Sequence, residues 1–217
     1  MLKLFYAKHT CALASHIALI DAGAEYQAVR LDFKNEDQRK PEYLAINPKG
    51  RVPSLATDKG IITETPAILA YIAQSFPRAA LAPLDPFEFA QAQAFNSYLC
   101  STAHVAHAHR VRAYRWVDPA DTAAVAAMAR KVPESMTAVF DLIEHGMLQG
   151  PWVMGERYTI CDPYLFTISG WLEKDGVDLA KMPRVMDHHA RMAQRSSVKR
   201  ALAEQLAEPI AEPALAK

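Results

Sequence analysis

The sequence predicts two domains of different class: an α/β domain of order βαβαββα over residues 1–76, then an all-helical domain over residues 87–208. Three observations carry this. Up to Phe76, short runs of period two alternate with runs at helical spacing. Beyond residue 87, apolar side chains recur only at three- and four-residue intervals. Between the two halves, Pro77, Pro83 and Pro86 crowd into residues 77–86 and mark an extended linker.

The elements follow in order. Leu2, Leu4 and Tyr6 alternate as a strand does. Ala12 to Ala22 reads as a helix with Leu13, Ile17 and Ile20 on one face, and Gly23 stops it. Tyr26 to Leu31 is again strand-like. A charged stretch follows, then a helical turn around Glu42 to Ala45 that Asn47-Pro48 halts. Val52 to Thr57 and Ile61 to Thr63 flank Asp58-Lys59-Gly60, which reads as a hairpin turn. Thr65-Pro66 opens the closing helix, with Thr65 as N-cap and Pro66 at the first helical position, where a missing N–H goes unfelt.

In the second half, Phe95, Tyr98, Leu99, Thr102, Val105 and Ala106 fall at helical spacing. So do Val125, Met128, Val132, Met136, Val139, Phe140, Ile143 and Met147, with Pro133 expected to kink or split that helix. Thr159-Ile160-Cys161-Asp162 has the form of a capping box ahead of Tyr164, Leu165, Phe166 and Ile168. Met182-Pro183 and Ser196-Ser197 start the last two helices. The Pro/Ala/Glu-rich tail, 209–217, is expected to be flexible.

Composition bounds the function. The 217 residues are 51% hydrophobic and 22% charged, and 24 basic residues balance 24 acidic ones for a formal net charge of +0. That balance argues against a nucleic-acid or membrane-surface binder. Met1 to Tyr6 runs straight into polar residues without the apolar core of a signal peptide, and nothing has the length of a membrane span. Cys11, Cys100 and Cys161 are widely spaced and suggest neither a disulfide framework nor zinc, so a cytoplasmic protein is expected. His104 and His107 share a helical face while His109 points away, and no Glu or Cys stands at ligand spacing, so no metal is expected. Arg110, Arg112 and Arg115 read most simply as a solvated basic face.

Three features bear on chemistry. Cys11 stands where a helix begins, a place that favours thiolate; a small buried apolar residue is the plainer alternative. Neither side of it has the second cysteine of a CxxC motif. In Gly50-Arg51-Val52-Pro53, the proline biases Val52 to extended backbone, which can pair with an extended peptide or simply enter a strand. Glu64-Thr65-Pro66 opens a helix whose free N–H groups suit a carboxylate, as well as being an ordinary cap. Together they are the groups needed to hold a short, acidic, thiol-bearing peptide.

Over residues 1–208 the chain resembles the bacterial beta-class glutathione transferases. The resemblance runs through Lys3-Leu4-Phe5-Tyr6, then Cys11 to Leu19, then Leu44-Ala45-Ile46-Asn47-Pro48-Lys49-Gly50-Arg51-Val52-Pro53, and finally Glu64-Thr65. It implies a thioredoxin-like first domain, a cis Pro53, and glutathione as co-substrate. Val52 would pair with its cysteinyl part and Glu64-Thr65 would grip its γ-glutamyl end. Thr10, Lys34 and Arg51 would complete the glutathione site. Cys11 and His104 would be catalytic, with Thr159 and Asp162 as a folding cap. Tyr6 has the wrong context for the catalytic tyrosine of other classes. Tyr114, Trp116 and Trp171 are candidate walls for a small hydrophobic electrophile in the helical domain. The implied assembly is a homodimer. Two other readings stand beside transfer: a glutathione-dependent thiol–disulfide reductase using Cys11, and a non-catalytic interaction protein of the same fold.

Overall fold

The computed structural model describes residues 1–207, so the tail expected over 209–217 lies outside the described residues. The chain divides into two compact units: Met1–Ala82 together with the segment from Ala193, and Pro83–Met192.

The first unit opens β1 (Leu2–Tyr6), α1 (Ala12–Asp21), β2 (Tyr26–Arg30) and α2 (Pro41–Leu44), and continues β3 (Ser54–Thr57), β4 (Gly60–Thr63) and α3 (Thr65–Ser75). The order is the βαβαββα expected. The sheet runs β2-β1-β3-β4. β1 and β2 are parallel, from Leu2 opposite Tyr26 to Tyr6 opposite Arg30, and α1 supplies the crossover that parallel strands require. β3 is antiparallel to β1 and to β4, with Thr57 paired to Gly60 across the Asp58-Lys59 turn. Gly60 sits at φ 135°, a backbone that side chains disfavour.

Alternation along β1 divides the core. Phe5 joins Leu31 and Tyr43 in a cluster edged by Val29, Phe33, Ile46, Val52 and Ala56. Its neighbour Leu4 is fully buried elsewhere, as period two requires. Helices α1 and α3 pack on each other through a run of buried residues that includes Ile17, Leu19, Ile68, Leu69 and Ile72.

The last helix, α9 (Ser196–Leu206), belongs to this first unit, whereas the sequence reading placed it with the second. The reason is a polar cluster no local pattern reveals. Buried His16 of α1 meets Glu204 at 2.8 Å, Tyr26 donates to the same carboxylate at 3.0 Å, and Arg200 holds its other oxygen at 2.6 Å. Burial works to raise the Glu204 carboxyl, but the hydrogen bonds from Arg200, His16 and Tyr26 outweigh it and hold it below the usual range. Burial also lowers His16, so the ring tends to neutrality. Arg195 pairs with Asp21 at 2.9 Å.

The second unit is helical: α4 (Pro86–Tyr98), α5 (His104–Val111), α6 (Thr122–Leu142), α7 (Cys161–Ser169) and α8, which begins at Pro183. Only the isolated bridges Trp152–Gly155 and Met154–Arg157 interrupt it with extended pairing among the described residues. No helix of the described residues is long and apolar enough to cross a membrane. Asp85 caps α4 through Phe87 and Glu88 N–H, and Asp121 caps α6 through Ala124 N–H. Pro133 does not split α6, which runs continuously through it. The buried stripe of Val132, Met136, Val139 and Phe140 outweighs the one lost backbone bond.

The Thr159–Asp162 box forms as its spacing implies. Thr159 Oγ1 accepts from Cys161 N–H at 3.3 Å, and Asp162 Oδ2 accepts from Thr159 N–H at 2.6 Å. Asp162 does more than a local cap: its Oδ1 also accepts from Val153 N–H at 2.8 Å and His188 Nε2 at 3.0 Å, all fully buried. Asp162→Ala strands these donors in the interior. It should cost about 3 kcal/mol and lower the thermal midpoint by roughly 6–12 °C, as read by calorimetry.

Candidate active site

The N-terminal end of α1 and the loop before β3 build one site within the first unit. Cys11 is the N-cap of α1, and its carbonyl accepts from Ala14 N–H at 3.2 Å. The preceding turn is held by Thr10, whose hydroxyl donates to Ala7 O at 2.8 Å and accepts from Ala12 N–H at 3.4 Å. His9 takes the left-handed conformation, φ 59°, to let the chain leave β1 for the helix. The Cys11 side chain does not reach outward as a free helix-end thiol. It is buried, and its S–H donates to the Val52 carbonyl at 3.6 Å.

Val52 is held from behind. The Arg51 carbonyl accepts from Tyr43 OH at 2.6 Å and from Asn47 Nδ2 at 2.7 Å, and both groups also reach Ser54 Oγ. The Val52–Pro53 peptide is cis, as the resemblance implies. The Val52 N–H has no hydrogen-bond partner among the described residues, which leaves it open to an incoming backbone.

At the end of β4 the expected cap shifts by one residue. Glu64, not Thr65, is the N-cap of α3, and Thr65 and Pro66 are its first residues. Glu64 takes φ 74°, a positive value that turns the chain sharply from strand to helix and leaves its carboxylate exposed beside buried Thr65. Lys49 ion-pairs with that carboxylate and donates to Thr63 Oγ1 at 2.8 Å. The sequence reading passed over Lys49, although it lies inside the run that carries the resemblance. Its partner lies 15 residues away and no local pattern pairs them.

Cys11, Thr10, Val52, Pro53, Glu64 and Thr65 thus stand on adjoining loops of one unit. Arg51 and Lys34 are exposed cations on flanking segments, Lys34 in a single turn, Phe33–Asn35, capped by Asp32. Tyr6 is occupied elsewhere. It is buried in β1, burial raises its phenol, and its OH reaches Glu204 O at 3.5 Å.

In the second unit, the rings of His104 and His107 lie 5.2 and 4.2 Å from Trp171, the latter stacked. His109 turns to Trp116 instead, edge-on at 4.6 Å. Tyr114 and Trp116 are nearly half exposed. Arg110 departs from the solvated face expected of it, because it is engaged with buried Asp175 at 2.7 Å. Of the remaining cysteines, Cys161 is fully buried and its thiol is pushed well above the usual range by burial. Cys100 is half-buried in the wide turn Leu99–Ala103.

Known proteins are similar to this chain. The N-terminal domain profile of glutathione S-transferases matches residues 2–74. Glutathione S-transferase GstA of Escherichia coli O157:H7 is 33% identical over 204 residues, which cover 93% of this chain and 97% of that protein. A maleylacetoacetate isomerase of Pseudomonas aeruginosa is 30% identical over 189 residues, covering 85% and 87%. The crystal structure of a glutathione transferase homologue from Sulfitobacter with bound glutathione superposes with a TM-score of 0.91 at 43% identity, over 95% of this chain and 99% of that one. The chain belongs to the glutathione S-transferase family.

The burial contrast is testable by alkylation. Iodoacetamide near neutral pH, followed by peptide mass spectrometry, should modify half-buried Cys100 while Cys161 stays unmodified until the protein is unfolded.

Proposed function

We propose that this protein is a beta-class glutathione transferase that joins the glutathione thiolate to small hydrophobic electrophiles. The observation that carries the reading is the juxtaposition of the Cys11 thiol, the open Val52 N–H at a cis proline, and Glu64 at the end of α3. An extended peptide lying along Val52 forms backbone hydrogen bonds there. Its γ-glutamyl ammonium meets the Glu64 carboxylate, and its carboxylate meets Thr65 and the helix N-terminus. Lys34 and Arg51 are cations suited to the other carboxylate.

Cys11 already acts as a donor toward a carbonyl, and the same proton serves the glutathione sulfur when it arrives. Developing charge on that sulfur is stabilised by such preorganised donors. His104 is assigned to catalysis from the family resemblance, and Trp171, Trp116 and Tyr114 to the electrophile wall. A second reading has support in the isomerase relative. Reversible thiolate addition to a conjugated double bond isomerises it and consumes no glutathione. Conjugation leaves a thioether and removes one glutathione per turnover. Mass spectrometry of the product from a panel of electrophiles separates the two. Disulfide reduction through Cys11 is read by the same panel, with a mixed disulfide as substrate.

Glu64→Ala removes a charged partner of the peptide. Titration calorimetry should show glutathione binding weakened by about 10- to 100-fold, the equivalent of a charged hydrogen bond. Unchanged affinity would place the γ-glutamyl end elsewhere.

We also propose a homodimer. Leu84 and Phe87 are 93% and 71% exposed at the start of α4, unusual for large apolar residues so close together. Light scattering should return about twice the 24.0 kDa chain mass. A constant monomer mass across concentrations would reject the dimer.

A further inference from the structure

Lys49 stands in the loop between α2 and β3, and its backbone there is well fixed. Buried Asn47 accepts from Lys49 N–H through Oδ1 at 3.2 Å, and the Gly50 N–H returns to the Asn47 carbonyl at 2.9 Å. Gly50 takes φ 60° where the loop passes Gln38, so close that an added Cβ would stand 3.0 Å from the Gln38 carbonyl oxygen. From this backbone the Lys49 side chain ion-pairs with Glu64 and donates to Thr63 Oγ1 at 2.8 Å. Glu64 is the N-cap of α3 at φ 74°, yet its carboxylate makes no capping bond to that helix.

Stability does not explain the pair. The two side chains are 43% and 53% exposed, and an ion pair so open to water adds little to folding. Capping does not explain it either, because the carboxylate leaves the helix N–H groups alone. What the pair does is occupy an oxygen of the carboxylate that, in the reading above, meets the γ-glutamyl ammonium. Lysine is a close chemical match for that ligand group, since both end in a primary ammonium with three donors.

We infer that Lys49 is a positioning residue that holds Glu64 in place and is exchanged for the ligand's own ammonium when glutathione binds. The inference rests on the glutathione-binding reading above and names a residue that sets the selectivity of the same site. Exchanging one ammonium for another yields only the difference between two like contacts, so Lys49 lowers what the γ-glutamyl amine contributes to affinity. A peptide without that amine leaves the Lys49–Glu64 pair intact and gives up nothing. Lys49 therefore narrows the gap between the two ligands.

The test is calorimetric titration of the full-length protein with two peptides at low ionic strength, where exposed charges are least screened. One is glutathione; the other is glutaryl-cysteinyl-glycine, the same peptide with hydrogen in place of the α-amine. Lys49→Met removes the charge and keeps a long, unbranched side chain. It should tighten glutathione by about 2- to 5-fold, the worth of an exposed ion pair, and should not tighten the deaminated peptide. Lys49→Arg keeps a cation for Glu64 and should bind both peptides as the wild type does. In a Glu64→Gln background, Lys49→Met should no longer tighten glutathione, because no pair remains to be exchanged. Loss of a nearby positive charge alone would weaken both anionic peptides, and a general loosening of the loop would move both in one direction. Glutathione affinity that is unchanged or weaker in Lys49→Met overturns the inference, as does tightening that persists with Glu64→Gln. A wild type that binds neither peptide overturns the glutathione-binding reading itself.

Discussion

The hydrogen bonds converging on the Arg51 carbonyl fix the candidate site. Tyr43 and Asn47 both donate to it, at 2.6 and 2.7 Å, and both also reach Ser54 Oγ. Tyr43 is buried in the cluster formed with Phe5 and Leu31, so the sheet core anchors the clamp. Burial raises its phenol, which keeps the group a donor. The loop from Asn47 to Pro53 is thereby held at both ends while its middle stays accessible. Val52 points its carbonyl at Cys11, and Lys49 reaches Glu64. A loop carrying recognition atoms on a rigid support loses little freedom when a ligand binds, and that is how a small domain grips a small peptide.

The second unit repeats the device with buried acids. Asp162 gathers Thr159, Val153 and His188, while Glu144, 1% exposed, accepts from the Arg184 and Val185 N–H groups that open α8. Each carboxylate satisfies helix-end or loop donors that the backbone leaves unpaired. In both cases the cost of burying charge is offset by several directional bonds, so these acids fix geometry as much as they add stability. Asp175 differs from them in that its oxygens meet the side chains of His107 and Arg110 rather than backbone N–H groups.

Periodicity and caps made most of the fold legible. The βαβαββα order, the hairpin at Asp58-Lys59 and the box at Thr159–Asp162 each depend on residues within four or five positions of one another. The segments of the candidate site were legible as local motifs, Cys11, Val52-Pro53 and Glu64-Thr65, and the structure brings them onto adjoining loops of one unit. What escaped depends on pairing between distant residues. Lys49 with Glu64 and Arg110 with Asp175 are long-range ion pairs, and a lone charged residue reads as solvated until its partner is known. The grouping of α9 with the first unit was hidden for the same reason. Its partners, His16 and Tyr26, lie 188 and 178 residues earlier in the chain. At Pro133 the helix continues unsplit, because a buried apolar stripe outweighs one missing N–H.

The position of α9 has a consequence for the Cys11 loop. Its C-terminal carbonyls are not left to water: Lys8 donates to Leu206 O at 3.3 Å and Arg30 to Ala207 O at 3.0 Å. Cations at a helix C-terminus meet its negative end. Lys8 stands three residues before Cys11 in the β1–α1 loop, and His16 stands in α1 itself, so the last helix grips the segment carrying the thiol on both sides. The apolar contacts of α1 with α3 set the helix against its neighbour, but they leave rotation and sliding cheap. The polar bonds to Glu204 and Leu206 have direction, and they restrict both. A thiol that must meet one carbonyl at 3.6 Å needs that restriction, and the chain supplies it from the opposite end of its sequence.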